Sequence, residues 1–276
     1  MENKPVQIYI EEVIRSKNPK LLKILPRFVI SYIKRILHQD EINEFLKKQY
    51  DKFGLEFVDE VVKLFNLEIK SFGEENITQN NRYIFAANHP LGGLESMAFI
   101  QVVGKHHKNV RFFVNDVLLY LKNYYPILVP LNHHGSQSKE AAKIIDDTYN
   151  SDAQILYYPS GLVSRRVKGK ITDLEWKKNF IAKAIKYQRD IIPVHIDGRN
   201  SNFFYNLANI RQFLGIKANL EMFYLPDEMY KQKNKTITLT FGPPISYKSL
   251  TNEYSAQEWA NKIKEIVYEL PEKIKK

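Results

Sequence analysis

The chain has 276 residues, of which 44% are hydrophobic, enough to bury the core of one domain without requiring two. It contains no cysteine, which excludes disulfides, thiolate metal sites and a cysteine nucleophile. Lysine and arginine total 41 against 31 aspartate and glutamate residues, and the formal net charge of +10 favours anionic partners such as lipid headgroups, an acidic carrier protein or nucleic acid.

The amino-terminal residues lack the cationic region and apolar core of a signal peptide. No apolar run approaches the roughly 20 residues that a membrane-spanning helix needs. We therefore expect a soluble or peripheral protein, and the absence of cysteine is compatible with a cytoplasmic setting.

Residues 1–66 are predicted to form an amino-terminal helical segment. Their apolar residues recur at helical spacing in residues 6–15, 20–38, 40–50 and 55–65. Pro26 interrupts the second stretch and predicts a kink or two short helices there.

An apolar stripe flanked by cations lies within the second stretch. Seven lysine or arginine residues and no acidic residue occur from Arg15 to Arg35. This pattern is typical of a helix at a membrane surface, but a stripe that packs on the rest of the protein with solvated lysines fits it equally well.

From residue 67 to residue 276, strands and helices alternate, which predicts an α/β fold with a sheet flanked by helices. The predicted strands are residues 82–87, 110–114, 127–131, 153–158, 191–196 and a half-exposed one at 235–241. The predicted helices are residues 94–103, 117–122, 139–149, 176–187 and 256–270.

A polar joint follows the first of these strands, in residues 88–95 (NHPLGGLE). His89 and Glu95 are six residues apart and would face different sides of one helix, so they can meet only across a turn. Pro90, Gly92 and Gly93 are suited to that turn, and Glu95 falls in the first turn of the next helix.

A carboxylate bonded to one imidazole nitrogen leaves the other nitrogen free to accept a proton, as in a general base. The alternative for the same residues is a turn histidine beside an ordinary acidic helix cap.

Residues 88–95 resemble the first motif of the glycerolipid acyltransferase superfamily, which contains the lysophospholipid acyltransferases. The closer resemblance is to the branch related to bacterial aminolipid O-acyltransferases, where the motif commonly reads NHPLGGxD. Glu95 stands where that branch has aspartate. The resemblance implies His89 and Glu95 as the catalytic pair and Gly92 and Gly93 as substrate-binding residues.

The loop at residues 157–166 (YYPSGLVSRR) places two arginines just after a predicted strand. It resembles the third motif of the same superfamily, in which Ser160 replaces the usual glutamate. The resemblance implies that Arg165 and Arg166, with Ser160 and Gly161, bind an anionic acceptor group, since guanidinium groups suit phosphate and carboxylate. A solvated cationic loop is the alternative.

Residues 129–136 and 191–198 occupy the places of the second and fourth motifs, so the resemblance covers roughly residues 80–245. The adjacent pairs His106-His107 and His133-His134 lack a third ligand at suitable spacing, and we predict no metal site.

The resemblance implies an O-acyltransferase of membrane lipid synthesis. The acyl donor would be acyl carrier protein or a coenzyme A thioester, with no bound cofactor, and the acceptor would be the hydroxyl of a lyso-lipid, lysophosphatidate-like or lyso-aminolipid. The expected location is the inner face of the membrane, with an anionic membrane surface as partner. A thioesterase or esterase that uses water and a non-catalytic lipid-binding protein are the alternatives. We expect no nucleic-acid partner, because the positive charge is spread along the chain.

Overall fold

The computed structural model of the protein describes residues 7–114, 121–130 and 139–274. Among these residues, five helices precede the first strand. They are α1 (Ile10–Lys17), α2 (Pro19–Ile24), α3 (Arg27–Ile36), α4 (Gln39–Lys48) and α5 (Leu55–Leu64). The chain breaks between α2 and α3 at Pro26, whose backbone is extended, so the predicted interruption at this proline is confirmed.

Within the described residues, seven strands form the main sheet in the order β1-β9-β8-β2-β5-β3-β4. In chain order they are β1 (Glu68–Phe72), β2 (Tyr83–Ala87), β3 (Val110–Val114), β4 (Leu128–Pro130), β5 (Gln154–Tyr157), β8 (Asp190–Ile196) and β9 (Thr236–Phe241). The strands from β8 to β4 are parallel, whereas β9 is antiparallel to β8 and parallel to β1. The predicted α/β fold is confirmed.

Two layers of helices cover the sheet. The remaining helices are α6 (Leu94–His106), α7 (Lys139–Asn150), α8 (Asn179–Tyr187), α9 (Asn202–Phe213), α10 (Leu225–Tyr230) and α11 (Ala256–Ile274). One core contains buried residues of α5 and α6, and a second contains those of α7, α8 and α11. Strand β2 contributes Phe85 to the first and Ile84 to the second, because alternate side chains of a strand point to opposite faces.

The sheet brings the two predicted motifs to one edge. Strands β2 and β5 are parallel neighbours, with Ala86 opposite Tyr157. The carboxyl ends of parallel strands lie at the same edge, which is where open α/β sheets bind their ligands. The joint after β2 and the loop after β5 are therefore adjacent.

Residues 165–172 differ from the prediction, because both arginines lie in a strand rather than in a loop. Strands β6 (Arg165–Val167) and β7 (Lys170–Thr172) pair as an antiparallel hairpin. Lys168 and Gly169, between the strands, both have positive φ, as the tight two-residue hairpin turn requires.

Strand β9 and helices α9 and α10 differ from the sequence predictions, and some predicted elements lie outside the described residues. Strand β9 is central rather than half-exposed, since it lies between β1 and β8 and buries four of its six residues. Helices α9 and α10 were not predicted. The predicted helix at residues 117–122, the strand end at residue 131, the second motif after residue 130 and the pair His133-His134 lie wholly or partly outside the described residues.

Candidate functional site

His89 and Glu95 meet across the turn between β2 and α6. The His89 Nδ1 atom lies 2.8 Å from Glu95 Oε1, within hydrogen-bonding distance. Glu95 is fully buried, while the His89 side chain remains 15% exposed. The structure thus brings together the predicted pair and leaves part of the His89 side chain exposed.

Glu95 also accepts the backbone N–H groups of the turn that it follows. Leu91 and Gly92 donate to Oε1 at 2.9 and 2.8 Å, and Gly93 donates to Oε2 at 2.8 Å. Burial acts to raise the pKa of Glu95, but the His89 charge and hydrogen bond together with the N–H donors lower it overall. Glu95 is therefore held as a carboxylate.

These contacts change the interpretation of the two glycines. The resemblance implied that Gly92 and Gly93 bind substrate, and in the structure the N–H groups of both residues donate to Glu95. Gly92 has φ +96°, and a Cβ atom there would lie 2.7 Å from the Leu225 side chain and 2.9 Å from that of Val163. Gly92 is required for the shape of the turn because of both its conformation and this close packing.

Tyr158, the first residue after β5, packs against the catalytic candidate. Its ring stacks on His89 with 4.1 Å between centroids and 18° between planes. Its hydroxyl lies 3.2 Å from Ser96 Oγ, and burial raises the pKa of Tyr158 well above its usual value, so the phenol stays neutral. Tyr158 holds the imidazole plane on one side while Glu95 holds Nδ1. His89 Nε2 has no hydrogen-bond partner among the described residues.

The His89 backbone is braced by the hairpin. The Ser164 N–H donates to the His89 carbonyl oxygen at 2.7 Å, and the His89 N–H donates to Asp173 Oδ1 at 3.1 Å. Asp173 in turn accepts hydrogen bonds from Ser164 Oγ and from Trp176 Nε1. Sequence reasoning missed Tyr158 and Asp173. The position of Tyr158 beside the Pro-x-Gly turn was a usable signal, whereas Asp173 had none.

Asn88 fixes the joint to the neighbouring strand. Its side-chain Nδ2 donates to the Ile196 carbonyl oxygen at 2.9 Å, and its Oδ1 accepts the Ile196 N–H at 2.7 Å. A paired side-chain amide of this kind replaces the ladder bonds that end with β2.

Arg165 is occupied by partners within the chain. Its side chain is 3% exposed, and Nη2 donates to Glu221 Oε1 at 2.8 Å while Nη1 donates to the Val163 carbonyl oxygen at 2.7 Å. Arg211 pairs with the same carboxylate through Nε at 2.8 Å. In this arrangement Arg165 ties the hairpin to the segment after α9 and does not present its guanidinium to a ligand.

Arg166 is placed differently. It is half-buried, with its guanidinium over the Tyr205 ring, and it donates to the side-chain oxygens of Asn202 and Asn206 at 2.6 and 2.9 Å. These partners are neutral amides, and Arg166 forms no ion pair with a described residue. Its positive charge is therefore available to an anionic group.

Ser160 and Gly161 form the turn that leads to the arginines. Ser160 is buried, and its hydroxyl donates to the Leu162 carbonyl oxygen at 2.8 Å. Gly161 has φ +64° and donates its N–H to the Tyr158 carbonyl oxygen at 3.0 Å. The structure gives both residues a part in loop geometry.

Among the described residues, no group of three or more His, Cys, Asp or Glu side chains is arranged to hold a metal ion. His106 pairs instead with Glu74 at 2.5 Å.

Comparisons with known proteins match nearly the whole chain. A family model described as "Acyltransferase" matches residues 12–275. A protein from Bacteroides thetaiotaomicron named lyso-glycine lipid O-acyltransferase is 45% identical over 264 residues, covering 95% of this chain and 97% of that protein. A protein of the same name from Phocaeicola vulgatus is also 45% identical, covering 95% of each chain.

A solved structure shows the same fold. The crystal structure of the 1-acyl-sn-glycerophosphate acyltransferase PlsC from Thermotoga maritima superposes with a TM-score of 0.50 and covers 95% of this chain and 92% of its own. Its sequence identity is 18%, so the likeness extends to the fold alone.

Proposed function

The chain belongs to the acyltransferase family, and on that basis we propose that it transfers a fatty acyl group from a thioester to the hydroxyl of a lyso-lipid. The prediction of an O-acyltransferase is confirmed by the family and by the two relatives. Because those relatives are named for a lyso-glycine lipid, we propose a lyso-lipid with a glycine headgroup or a closely related aminolipid as the acceptor.

The observation that supports the mechanism best is the fixed orientation of the His89 imidazole. Glu95 holds Nδ1 at 2.8 Å and Tyr158 stacks on the ring, so Nε2 is the nitrogen that can accept a proton. In this mechanism, Nε2 takes the proton of the acceptor hydroxyl, and the Glu95 carboxylate stabilises the resulting imidazolium.

The hydroxyl oxygen attacks the thioester carbonyl as its proton leaves. The tetrahedral intermediate then collapses by breaking the carbon–sulfur bond, and the thiolate leaves and recovers the proton from His89. The products are an ester and a free thiol, and no covalent acyl-enzyme forms. The donor is an acyl carrier protein or coenzyme A thioester, and no further cofactor is needed for this step.

Arg166 is the candidate for holding an anionic group of the acceptor. Its charge has no carboxylate partner among the described residues, whereas Arg165 is paired with Glu221. A guanidinium can bind a carboxylate or a phosphate through two parallel hydrogen bonds. Asn202 and Asn206 would then orient Arg166 rather than neutralise it.

We place the reaction at the cytoplasmic face of a membrane, where acyl thioesters and the lipid acceptor can meet. Among the described residues, no helix combines the length and the apolar character needed to cross a bilayer. The net charge of +10 suits an anionic leaflet.

The test is the lipid profile of a host that lacks its own copy of the gene. Wild-type protein is expected to produce an O-acylated lipid, and His89→Ala is expected to abolish that lipid and accumulate its lyso precursor. His106→Ala is the matched control, because His106 is also paired with a glutamate but lies away from the turn. Unchanged lipids in the His89→Ala strain would contradict the proposal.

Purified protein separates transfer from hydrolysis. Thiol release from acyl coenzyme A or acyl carrier protein should depend on added lyso-lipid and yield a new ester. Equal release with and without the lyso-lipid would instead identify a thioesterase, and no release with lipid binding retained would identify a binding protein.

A further inference from the structure

Two segments far apart in sequence expose large apolar side chains. In α2 and α3, Ile24 and Phe28 are each 75% exposed. In α9 and the residues after it, Phe213 is 90% exposed and Leu214 is 62% exposed. Side chains of this size are rarely so exposed in a group unless the surface contacts a partner or a membrane.

The two segments touch. The Tyr32 hydroxyl lies 2.8 Å from the Tyr224 hydroxyl, and the Phe203 ring contacts Tyr224 edge-on with centroids 4.9 Å apart. Phe28 and Tyr32 are one helical turn apart on α3 and therefore share a face. We call the combined region the α3–α9 surface. Its exposed apolar residues are Ile24, Phe28, Tyr32, Phe203, Ile210, Phe213, Leu214 and Phe223.

The α3 part of this surface is an open apolar depression rather than an enclosed cavity. It is lined by Phe28, Val29, Ser31, Tyr32 and Arg35, all of α3. An apolar surface that carries a cation is compatible with the boundary between acyl chains and anionic headgroups.

Most of the charges around the surface are positive. Lys20, Lys23, Arg27 and Arg35 are exposed in the first segment, which has no acidic residue from Arg15 to Arg35. Residues 198–226 contain one acidic residue, Glu221, which is fully buried between Arg165 and Arg211. The acidic groups at the edge of the surface are paired with lysines, Glu11 with Lys34 and Asp227 with Lys231. Exposed apolar groups with an excess of cations complement an anionic lipid surface.

The α3–α9 surface is joined to the catalytic turn. Arg165, in the hairpin next to Ser164, pairs with Glu221 just after α9. Val163 packs with Phe204 and Leu225, and it also lies against Gly92. The same hairpin therefore supports both His89 and the exposed segment.

We propose that the α3–α9 surface docks on an anionic lipid bilayer, with α9 and residues 214–224 as a second contact beside α3. Phe28 and Phe213 would enter the interfacial layer, while the surrounding lysines and arginines contact anionic headgroups. This inference rests on the proposed function, because a lyso-lipid substrate explains why the protein would bind a membrane. Membrane binding itself can be measured without catalysis.

The test is flotation of the full chain with vesicles of phosphatidylcholine alone or mixed with phosphatidylglycerol. Wild type should bind the mixed vesicles more tightly. Phe28→Ser and Phe213→Ser should each weaken that binding about tenfold, because burying one large apolar side chain contributes about an order of magnitude. Replacing Lys20 and Lys23 with glutamine should lower the preference for phosphatidylglycerol by about fivefold per residue.

The matched control is Ile185→Ser, which changes an apolar residue 46% exposed on α8, on the other face of the sheet. It should bind like wild type, and all variants should keep the wild-type circular dichroism spectrum. Equal binding by wild type and Phe213→Ser, equal loss in Ile185→Ser, or no preference for phosphatidylglycerol would overturn the inference. So would a dimer in lipid-free sedimentation that Phe213→Ser dissociates, since the occupant would then be a second copy.

Activity distinguishes this inference from the proposed function. Phe213→Ser should acylate a detergent-dispersed lyso-lipid at the wild-type rate and a vesicle-borne one more slowly. If the wild-type protein binds membranes but transfers no acyl group, the proposed function is contradicted and the membrane-docking inference is still supported.

Discussion

The turn after β2 and the hairpin after β5 each contain a pair of ionisable side chains, and in each pair the two side chains have different environments. At the turn, the Glu95 carboxylate accepts hydrogen bonds from the backbone and pairs with His89 Nδ1, while His89 Nε2 has no hydrogen-bond partner among the described residues. At the hairpin, Arg165 forms an ion pair with Glu221, while Arg166 donates to a neutral amide. Each region thus contains one residue that holds its neighbours in place and one that can react with or bind a substrate. Substitutions of the two kinds of residue should therefore change different measured quantities.

The largest effect is expected for Glu95→Gln, which should lower kcat about 10³- to 10⁴-fold, because an amide can donate to Nδ1 and favour the wrong tautomer. The measurement is kcat for acyl transfer to a lyso-lipid. Glu95→Asp should recover part of the rate, since it keeps the charge on a shorter side chain.

Glu74→Gln is the control for Glu95→Gln, because Glu74 also forms a close pair with a histidine, His106. It should leave kcat unchanged. A wild-type kcat for Glu95→Gln would contradict the proposed role of Glu95 in orienting His89.

Arg165→Ala tests support in the hairpin. Breaking a buried ion pair costs about 3 to 5 kcal/mol of unfolding free energy, and the lower end is expected because Arg211 still pairs with Glu221. Urea denaturation measures this loss. A KM increase with unchanged stability would show instead that Arg165 binds the acceptor, as the sequence resemblance implied.

Arg166→Ala tests binding in the same hairpin. Its partners are neutral and partly exposed, so the stability change should stay below about 1 kcal/mol. The KM for an anionic lyso-lipid should rise about tenfold, corresponding to roughly 1.4 kcal/mol for one charge-assisted contact. Arg165→Ala would then lower the free energy of unfolding, whereas Arg166→Ala would raise the KM for the lyso-lipid.

The smallest effect is expected from pH. The pKa of Glu95 is lowered from its usual 4.5, so its contribution to stability is fully present above that value and lost as the pH falls through the lower, folded-state pKa. The difference in unfolding free energy between wild type and Glu95→Gln should therefore narrow below about pH 4.5. A constant difference between neutral and acidic pH would contradict the lowered pKa.

The sequence was informative where partners lie close together in the chain. The break at Pro26, strand β3 and the meeting of His89 with Glu95 follow from residues within one turn or one element. The predicted division at residue 66 and the roles of the site residues stay predictions.

Long-range contacts explain what the sequence could not supply. Arg165 meets Glu221 across 56 positions, and the His89 N–H meets Asp173 across 84. Nothing in the local pattern distinguishes a buried, paired arginine from a free one, because solvent exposure and charge partners are set by packing. For the same reason, the sequence shows aromatic residues within residues 202–213, whereas only the fold shows that they form helix α9 and that Phe203 contacts Tyr224, the partner of Tyr32 on α3.

By itself the sequence determined the α/β class, the motif order and the residues able to act as a base and its carboxylate, since hydrophobic periodicity and short spacings carry that information. The tertiary structure alone decided which nitrogen of His89 is open, which arginine is free and which apolar side chains remain uncovered. Those outcomes depend on atoms that distant segments bring within a few ångströms.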